Sequence, residues 1–247
     1  MYDVIGNIAL LDKKIGKKSA EKLLNSHILT VMQRQNKHFG RYRLQKLVHL
    51  AGKKQTCTTH KESGVVLKVD VKKAYFSPRL ASERLRIAQQ IHKKEKVAVF
   101  FSGISPYPLI LAKHSPATKI VGIEWNPVAH KLAQENIVLN KLHDKIVLVK
   151  GNVRTCSMQH GTFDRIILMH PSKAVNYIDT AVGVAKKKCV IHLYTFAKEK
   201  AIVLKGKKLL EKIRALGRTC KMLNQRKTAQ VAPGKYRMCY DILLKSR

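Results

Sequence analysis

Four short apolar runs end in residues that could hold an adenosine-bearing ligand. The first, residues 97–101, passes from Phe101 into Ser102-Gly103-Ile104-Ser105-Pro106, and its glycine lets a ligand approach the backbone closely. The second ends at Glu124, about twenty residues later, where a carboxylate can accept both hydroxyls of a ribose. The third leads into Gly151-Asn152-Val153-Arg154, where a polar side chain can bond an adenine amino group. The fourth leads into Met169-His170-Pro171. The candidate cofactor residues at and beside these strand ends are Phe101, Ser102, Gly103, Ser105, Glu124, Trp125, Asn152, Val153 and Met169. The first turn has one glycine and is not the G-x-G-x-x-G of dinucleotide sites. Singly, each feature is an ordinary turn or cap; together and in this order they suit an adenosine-containing cofactor.

Such positions need strands that end side by side. From Ser82 onward the pattern predicts helices over 83–92, 108–114, 126–140, 177–185 and 198–216. Strands are predicted over 97–101, 119–124, 145–150, 163–168, 189–196 and 236–244. Asn126-Pro127 makes a good N-cap and first-turn pair. This alternation predicts an α/β, doubly wound and largely parallel sheet, with ligands beyond the carboxyl ends of its strands. Residues 1–72 read as a separate small α/β domain and 73–247 as the main one. The small domain is expected to hold a strand-like stretch over 2–11 around Gly6 and a helix over 19–24 capped by Ser19. A short strand over 28–32, a basic loop over 33–40 and an alternating strand over 65–71 complete it.

Composition narrows the partner. The chain has 247 residues, with 49 Lys plus Arg against 15 Asp plus Glu, a net charge of +34. Self-repulsion at that charge favours a polyanion, and lysine and arginine contacts to phosphate bind nucleic acid through counterion release. Lys13-Lys14, Lys17-Lys18, Lys53-Lys54, Lys72-Lys73, Lys186-Lys187-Lys188, Lys205 and Lys207-Lys208 are candidate contacts, each by itself an ordinary solvated cluster. No apolar run is long enough to span a membrane, and no lipid-anchor signal is present. The five cysteines form no C-x-x-C pair, which predicts free thiols and no metal site.

The chain resembles the tRNA (guanine-37-N1)-methyltransferases of archaea and eukaryotes, together with their relatives in wyosine-base synthesis. The resemblance rests on Ile5-Gly6-Asn7-Ile8-Ala9, Gly40-Arg41-Tyr42-Arg43 and His60-Lys61-Glu62-Ser63-Gly64. Its most specific stretch is Tyr75-Phe76-Ser77-Pro78-Arg79-Leu80-Ala81-Ser82-Glu83-Arg84. It continues through Ile123-Glu124-Trp125-Asn126-Pro127, Glu135-Asn136-Ile137, Val190-Ile191-His192-Leu193-Tyr194 and Ala232-Pro233-Gly234.

The resemblance implies a class I methyltransferase (Rossmann-like) fold, S-adenosylmethionine as cofactor and methylation of N1 of the guanosine 3′ of the anticodon. Glu83 then matches the general base and Arg43 the cation that stabilises charge on O6. Guanine N1 carries a proton at neutral pH, so a carboxylate must remove it while a donor steadies the developing oxyanion. Arg79, on the cofactor side, and Tyr75 match pocket-wall residues; Pro78, His170 and Pro171 join the substrate side. The resemblance also implies the tRNA anticodon stem-loop as partner, a monomer and a cytoplasmic location.

Several positions depart from the family pattern. Val99 stands where an acid is usual, Asn152 where aspartate is, and Met169-His170-Pro171 where an Asn-Leu-Pro segment is. Many members also carry an N-terminal module that grips the outer corner of tRNA, and this chain begins at what matches the second module. Two alternatives stay open: aminocarboxypropyl transfer to a wyosine precursor, or a tRNA-binding relative without catalysis.

Overall fold

The computed structural model describes residues 2–35 and 39–245. The middle of the expected basic loop, 36–38, lies outside the described residues.

Among the described residues, the main sheet has seven strands. Its members are β7 (Lys96–Phe100), β8 (Lys119–Glu124), β9 (Ile146–Lys150), β10 (Phe163–Leu168), β11 (Ala185–Lys198), β12 (Thr219–Ala232) and β13 (Lys235–Lys245). They lie in the order β12-β13-β11-β10-β7-β8-β9. Strands β7 to β11 run parallel, and β13 is antiparallel to both of its neighbours. The chain winds outward from β7 through α3 (Pro106–His114), β8, α4 (Pro127–Asn140) and β9, then returns to β10 on the other side of β7. That reversal opens the crevice at which doubly wound sheets bind ligands.

Residues ahead of β7 cover one face. Strands β1 (Tyr2–Ile5), β2 (Ile8–Leu11), β3 (Thr30–Arg34) and β4 (Leu47–Gly52) form a four-stranded sheet, and β5 (Cys57–Glu62) pairs with β6 (Val65–Asp70). The stretch expected over 2–11 is thus two strands turning at Gly6. A Cβ there would lie 2.2 Å from Thr58 Oγ1, so the close approach of this turn to β5 requires glycine. Two asparagines of α4 dock the second hairpin. Asn136 accepts from Lys68 N and donates to the carbonyls of Lys68 and Ile104, and Asn140 pairs with both backbone groups of Val66. One apolar core runs through Ile5, Leu67, Val99, Ile104 and Tyr194, so the two parts share an interior. On the other face Phe100, Phe163, Leu193 and Ile213 pack together.

Some local expectations shift. The first helix, α1, is Lys17–Glu21, with Gly16 rather than Ser19 at its N-cap. The sixth helix, α6, is Ile178–Gly183, and β11 begins already at Ala185. Strands β4, β5 and β12 had no predicted counterpart. Their sequences, LVHLAG, CTTHKE and TCKMLNQRKTAQVA, mix basic and polar residues and hide any period-2 signal. All five cysteines are free. No helix among the described residues is long and apolar enough to cross a membrane.

Candidate active site

The turn after β7 is wound tightly. Phe101, Gly103 and Ser105 have φ of 61°, 60° and 67°, in the left-handed region. Glu124 stabilises this path: its Oε2 accepts the Gly103 N–H at 2.7 Å and its Oε1 accepts the Asn126 N–H at 2.7 Å. One carboxylate therefore clasps the turns after β7 and β8. Burial pushes the Glu124 carboxyl up, against the lowering effect of the Asn126, Gly103 and Trp125 backbone donors. Ser102 and Ser105 hydroxyls are buried beneath the turn without a hydrogen-bond partner among the described residues. Unpaired buried hydroxyls below a left-handed turn suit a site that gains polar contacts when a ligand seats.

The neighbouring strand ends differ in readiness. Trp125 is exposed, with the Arg41 guanidinium 4.2 Å over its ring. Asn152 accepts the Arg154 N–H at 3.1 Å, capping a short helix, α5 (Val153–Cys156). Val153 is buried in the core. Met169 is half-buried, its N–H donating to Phe100 O at 3.2 Å. His170 is buried with both ring nitrogens unpaired among the described residues, and meets Phe101 edge-on at 5.4 Å. Burial, then Arg43 and Lys173, lower the His170 pKa to about 4, so its imidazole is neutral at pH 7. Pro171 is buried beside it, and Pro78 is half-buried.

Arg43 and Tyr75 meet directly. The guanidinium lies 4.3 Å over the Tyr75 ring, and Arg43 has φ 55°. Tyr75 also accepts from Arg237 at 3.2 Å. Burial acts to raise the Tyr75 phenol pKa, but Arg237 and Arg43 hold it below its ordinary value. The Tyr75 carbonyl lies 3.6 Å from where a Gly103 Cβ would stand, so this group adjoins the glycine turn.

Glu83 sits in the first turn of α2 (Ala81–Gln89), and only 3% of it is exposed. Its Oε1 accepts from Tyr194 OH at 2.6 Å, and Arg86 grips both oxygens at 2.8 Å. The Arg226 Nε stands 3.5 Å from Oε2. Arg86 also reaches Asp241 at 2.8 Å, and Asp241 meets His192 Nδ1 at 2.7 Å. His192, Cys239 and Asp241 would offer three clustered donor atoms to a metal, but Arg86 and Arg165 already engage them.

Arg79 goes elsewhere. It pairs with Asp3 at 2.5 Å and Asp12 at 3.1 Å, and Arg34 bridges the same carboxylates. The structure thus brings Phe101, Gly103, Glu124, Tyr75, Arg43 and His170 to one end of the sheet and places Arg79 on the N-terminal hairpin. Sequence reading missed Arg86, Tyr194, Arg226, Arg237 and Asp241. Arg86 was findable, three residues after Glu83 on one helix face. Arg226, Arg237 and Asp241 carry no local signal.

A protein-family model, TRM5/TYW2 methyltransferase domain, matches residues 58–223. The tRNA (guanine(37)-N(1))-methyltransferase Trm5b of Methanocaldococcus jannaschii is 35% identical over all of this chain and 71% of its own length. The solved complex of aTrm5 and tRNALeu superposes with a TM-score of 0.88 at 33% identity, covering 99% of this chain and 72% of that one. The M. jannaschii TYW2 structure in complex with AdoMet gives a TM-score of 0.79 at 25% identity, with both chains covered in full.

Proposed function

We propose that this chain, which belongs to the TRM5/TYW2 methyltransferase family, methylates N1 of the guanosine 3′ of the anticodon in tRNA. The family makes it a class I, S-adenosylmethionine-dependent tRNA methyltransferase. The observation that carries the site assignment is the junction of Gly103 with Tyr75. A cofactor turn clasped by Glu124 abuts a tyrosine that carries the Arg43 guanidinium.

Phe101, Ser102, Gly103, Ser105, Glu124, Trp125, Asn152, Val153 and Met169 would hold the cofactor, which supplies an activated methyl group. The buried, unpaired serine hydroxyls and the glycine turn fit that group. Arg79 would act from a distance, by pinning the Pro78 turn to β1 and β2. Glu83 takes the N1 proton, leaving the electron pair on N1. Arg43 steadies the negative charge that then builds on O6. Tyr75, Pro78 and Pro171 wall the base, and neutral His170 offers it one donor and one acceptor. Residues 1–72 serve as the RNA-recognition domain and 73–247 as the methyltransferase domain. The lysine clusters grip the anticodon stem-loop. The enzyme works as a cytoplasmic monomer.

The test is incubation with unmodified tRNA and S-adenosylmethionine, then nucleoside mass analysis. A methyl increment on guanosine supports the reading, and its absence sinks it. The likeness in fold to the TYW2 structure supports a second reading, aminocarboxypropyl transfer to a wyosine precursor. A larger increment on that substrate alone would establish it.

A further inference from the structure

Cross-strand register sets a row of side chains beneath α2. Tyr194 of β11 is opposite Cys239 of β13, which is opposite Arg226 of β12. The next row is His192, Asp241 and Asn224. Residues opposite one another share a sheet face, and the hydrogen bonds of Tyr194, Asp241 and Arg86 show that this face meets Glu83. Tyr194, Tyr107, Cys239, His192 and Asp241 lie about this carboxylate among the described residues. Burial holds Tyr194, Tyr107 and Cys239 protonated and His192 neutral. Asp241 stays ionised despite burial because His192 and Arg86 bond it.

The charges then count simply. Glu83 and Asp241 share Arg86, so this trio carries one net negative charge. Arg226 cancels it. Of the two guanidiniums within reach of Glu83 among the described residues, Arg86 is 15% exposed and tied on both sides, whereas Arg226 is 52% exposed on an edge strand. Arg226 alone of these two can leave Glu83 for a ligand without breaking a buried ion pair.

We propose that Arg226 is a substrate-sensing positioning residue, which covers Glu83 in the free protein and moves onto a phosphate of the bound RNA. Its departure uncovers the carboxylate and leaves the Glu83–Arg86–Asp241 trio net negative. The proton from N1 then forms an O–H bond on Glu83, the electron pair remains on N1, and Arg86 and Asp241 are left as a neutral ion pair. The inference rests on the reading of Glu83 as the base.

Two measurements on full-length Arg226→Ala test it, with S-adenosylmethionine saturating. The first is the salt dependence of tRNA affinity: loss of one phosphate contact lowers the slope of log K against log salt by about 0.7–0.9. The second is the acid limb of single-turnover transfer. At low enzyme concentration the rate reports free enzyme, and at saturation it reports the complex. Wild type should show a midpoint higher at saturation, by roughly half a pH unit for an exposed pair, because the cation has left. In Arg226→Ala the offset should shrink to what the bound phosphates alone impose. An unchanged salt slope, or a midpoint offset as large in the variant as in wild type, overturns the proposal. Glu83→Gln separates the two claims. Full activity there removes the base assignment itself, whereas lost activity with wild-type behaviour in Arg226→Ala removes only the role of Arg226.

Discussion

Glu124 accepts the backbone N–H of Gly103 at 2.7 Å, joining the ends of two adjacent parallel strands through one carboxylate. The acid at the second strand end therefore shapes the glycine turn. Its second oxygen holds Asn126, which caps α4 through Val128 and Ala129. The glycine turn, Glu124 and the start of α4 form one hydrogen-bonded unit.

Glu124→Gln should weaken S-adenosylmethionine binding by about 10–100-fold. The amide keeps one acceptor but points an N–H₂ at a backbone donor, losing a charge-assisted bond worth about 1.5–3 kcal/mol. Calorimetric titration of cofactor into the variant measures this, and unaltered affinity would contradict the clasp.

Glu83→Ala should cut methyl transfer by about 10²–10⁴-fold, the usual share of a general base, while tRNA affinity stays near wild type. Arg43→Ala should lose about 10²–10³-fold through weaker oxyanion stabilisation. Single-turnover assays with tRNA-binding controls separate chemistry from binding. Unchanged turnover in Glu83→Ala would sink the assignment of the base.

Acid should destabilise the fold partly through His170. Its folded pKa, about 4, lies below the ordinary 6.5. The unfolded chain therefore binds more protons between these values, and stability falls as pH drops from 6.5 towards 4. Between pH 7 and pH 5 the share of His170 is roughly 2 kcal/mol. Urea unfolding of His170→Asn at both pH values should show a pH dependence smaller by about that amount. Burial also lowers His192, so part of the dependence will remain.

Asn136→Ala should destabilise the protein by about 2–4 kcal/mol. The change strands the Lys68 N–H and the Ile104 carbonyl at a buried junction. Chemical denaturation measures the loss. A wild-type midpoint would mean that α4 and β6 do not depend on this side chain.

The central parallel strands were legible because they are buried on both faces and read as apolar runs, as in VAVFF, whereas β9 at the sheet edge is only half-buried. The Asn126 cap of α4 was legible because capping is local, and the structure shows its side chain accepting from Val128 and Ala129. Strands β4, β5 and β12 were not legible. The long edge strand β12 pairs on one side only and carries exposed Lys221, Leu223, Arg226 and Lys227, so its sequence looks like a loop.

The sequence by itself determined the doubly wound order of elements, the glycine turn after Phe101, the acid at Glu124 and the family of the chain. These depend on periodicity, local backbone freedom and motifs along one segment. Only the tertiary structure decided what surrounds Glu83. Tyr194 and Arg226, far from it along the chain, reach it, and Asp241 reaches its partner Arg86, because β11, β13 and β12 pair in one register. A shift of one residue would turn all of them to the other face of the sheet. The same holds for Arg79: its motif pointed to the pocket, and the placement of Asp3 and Asp12 drew it to the N-terminal hairpin.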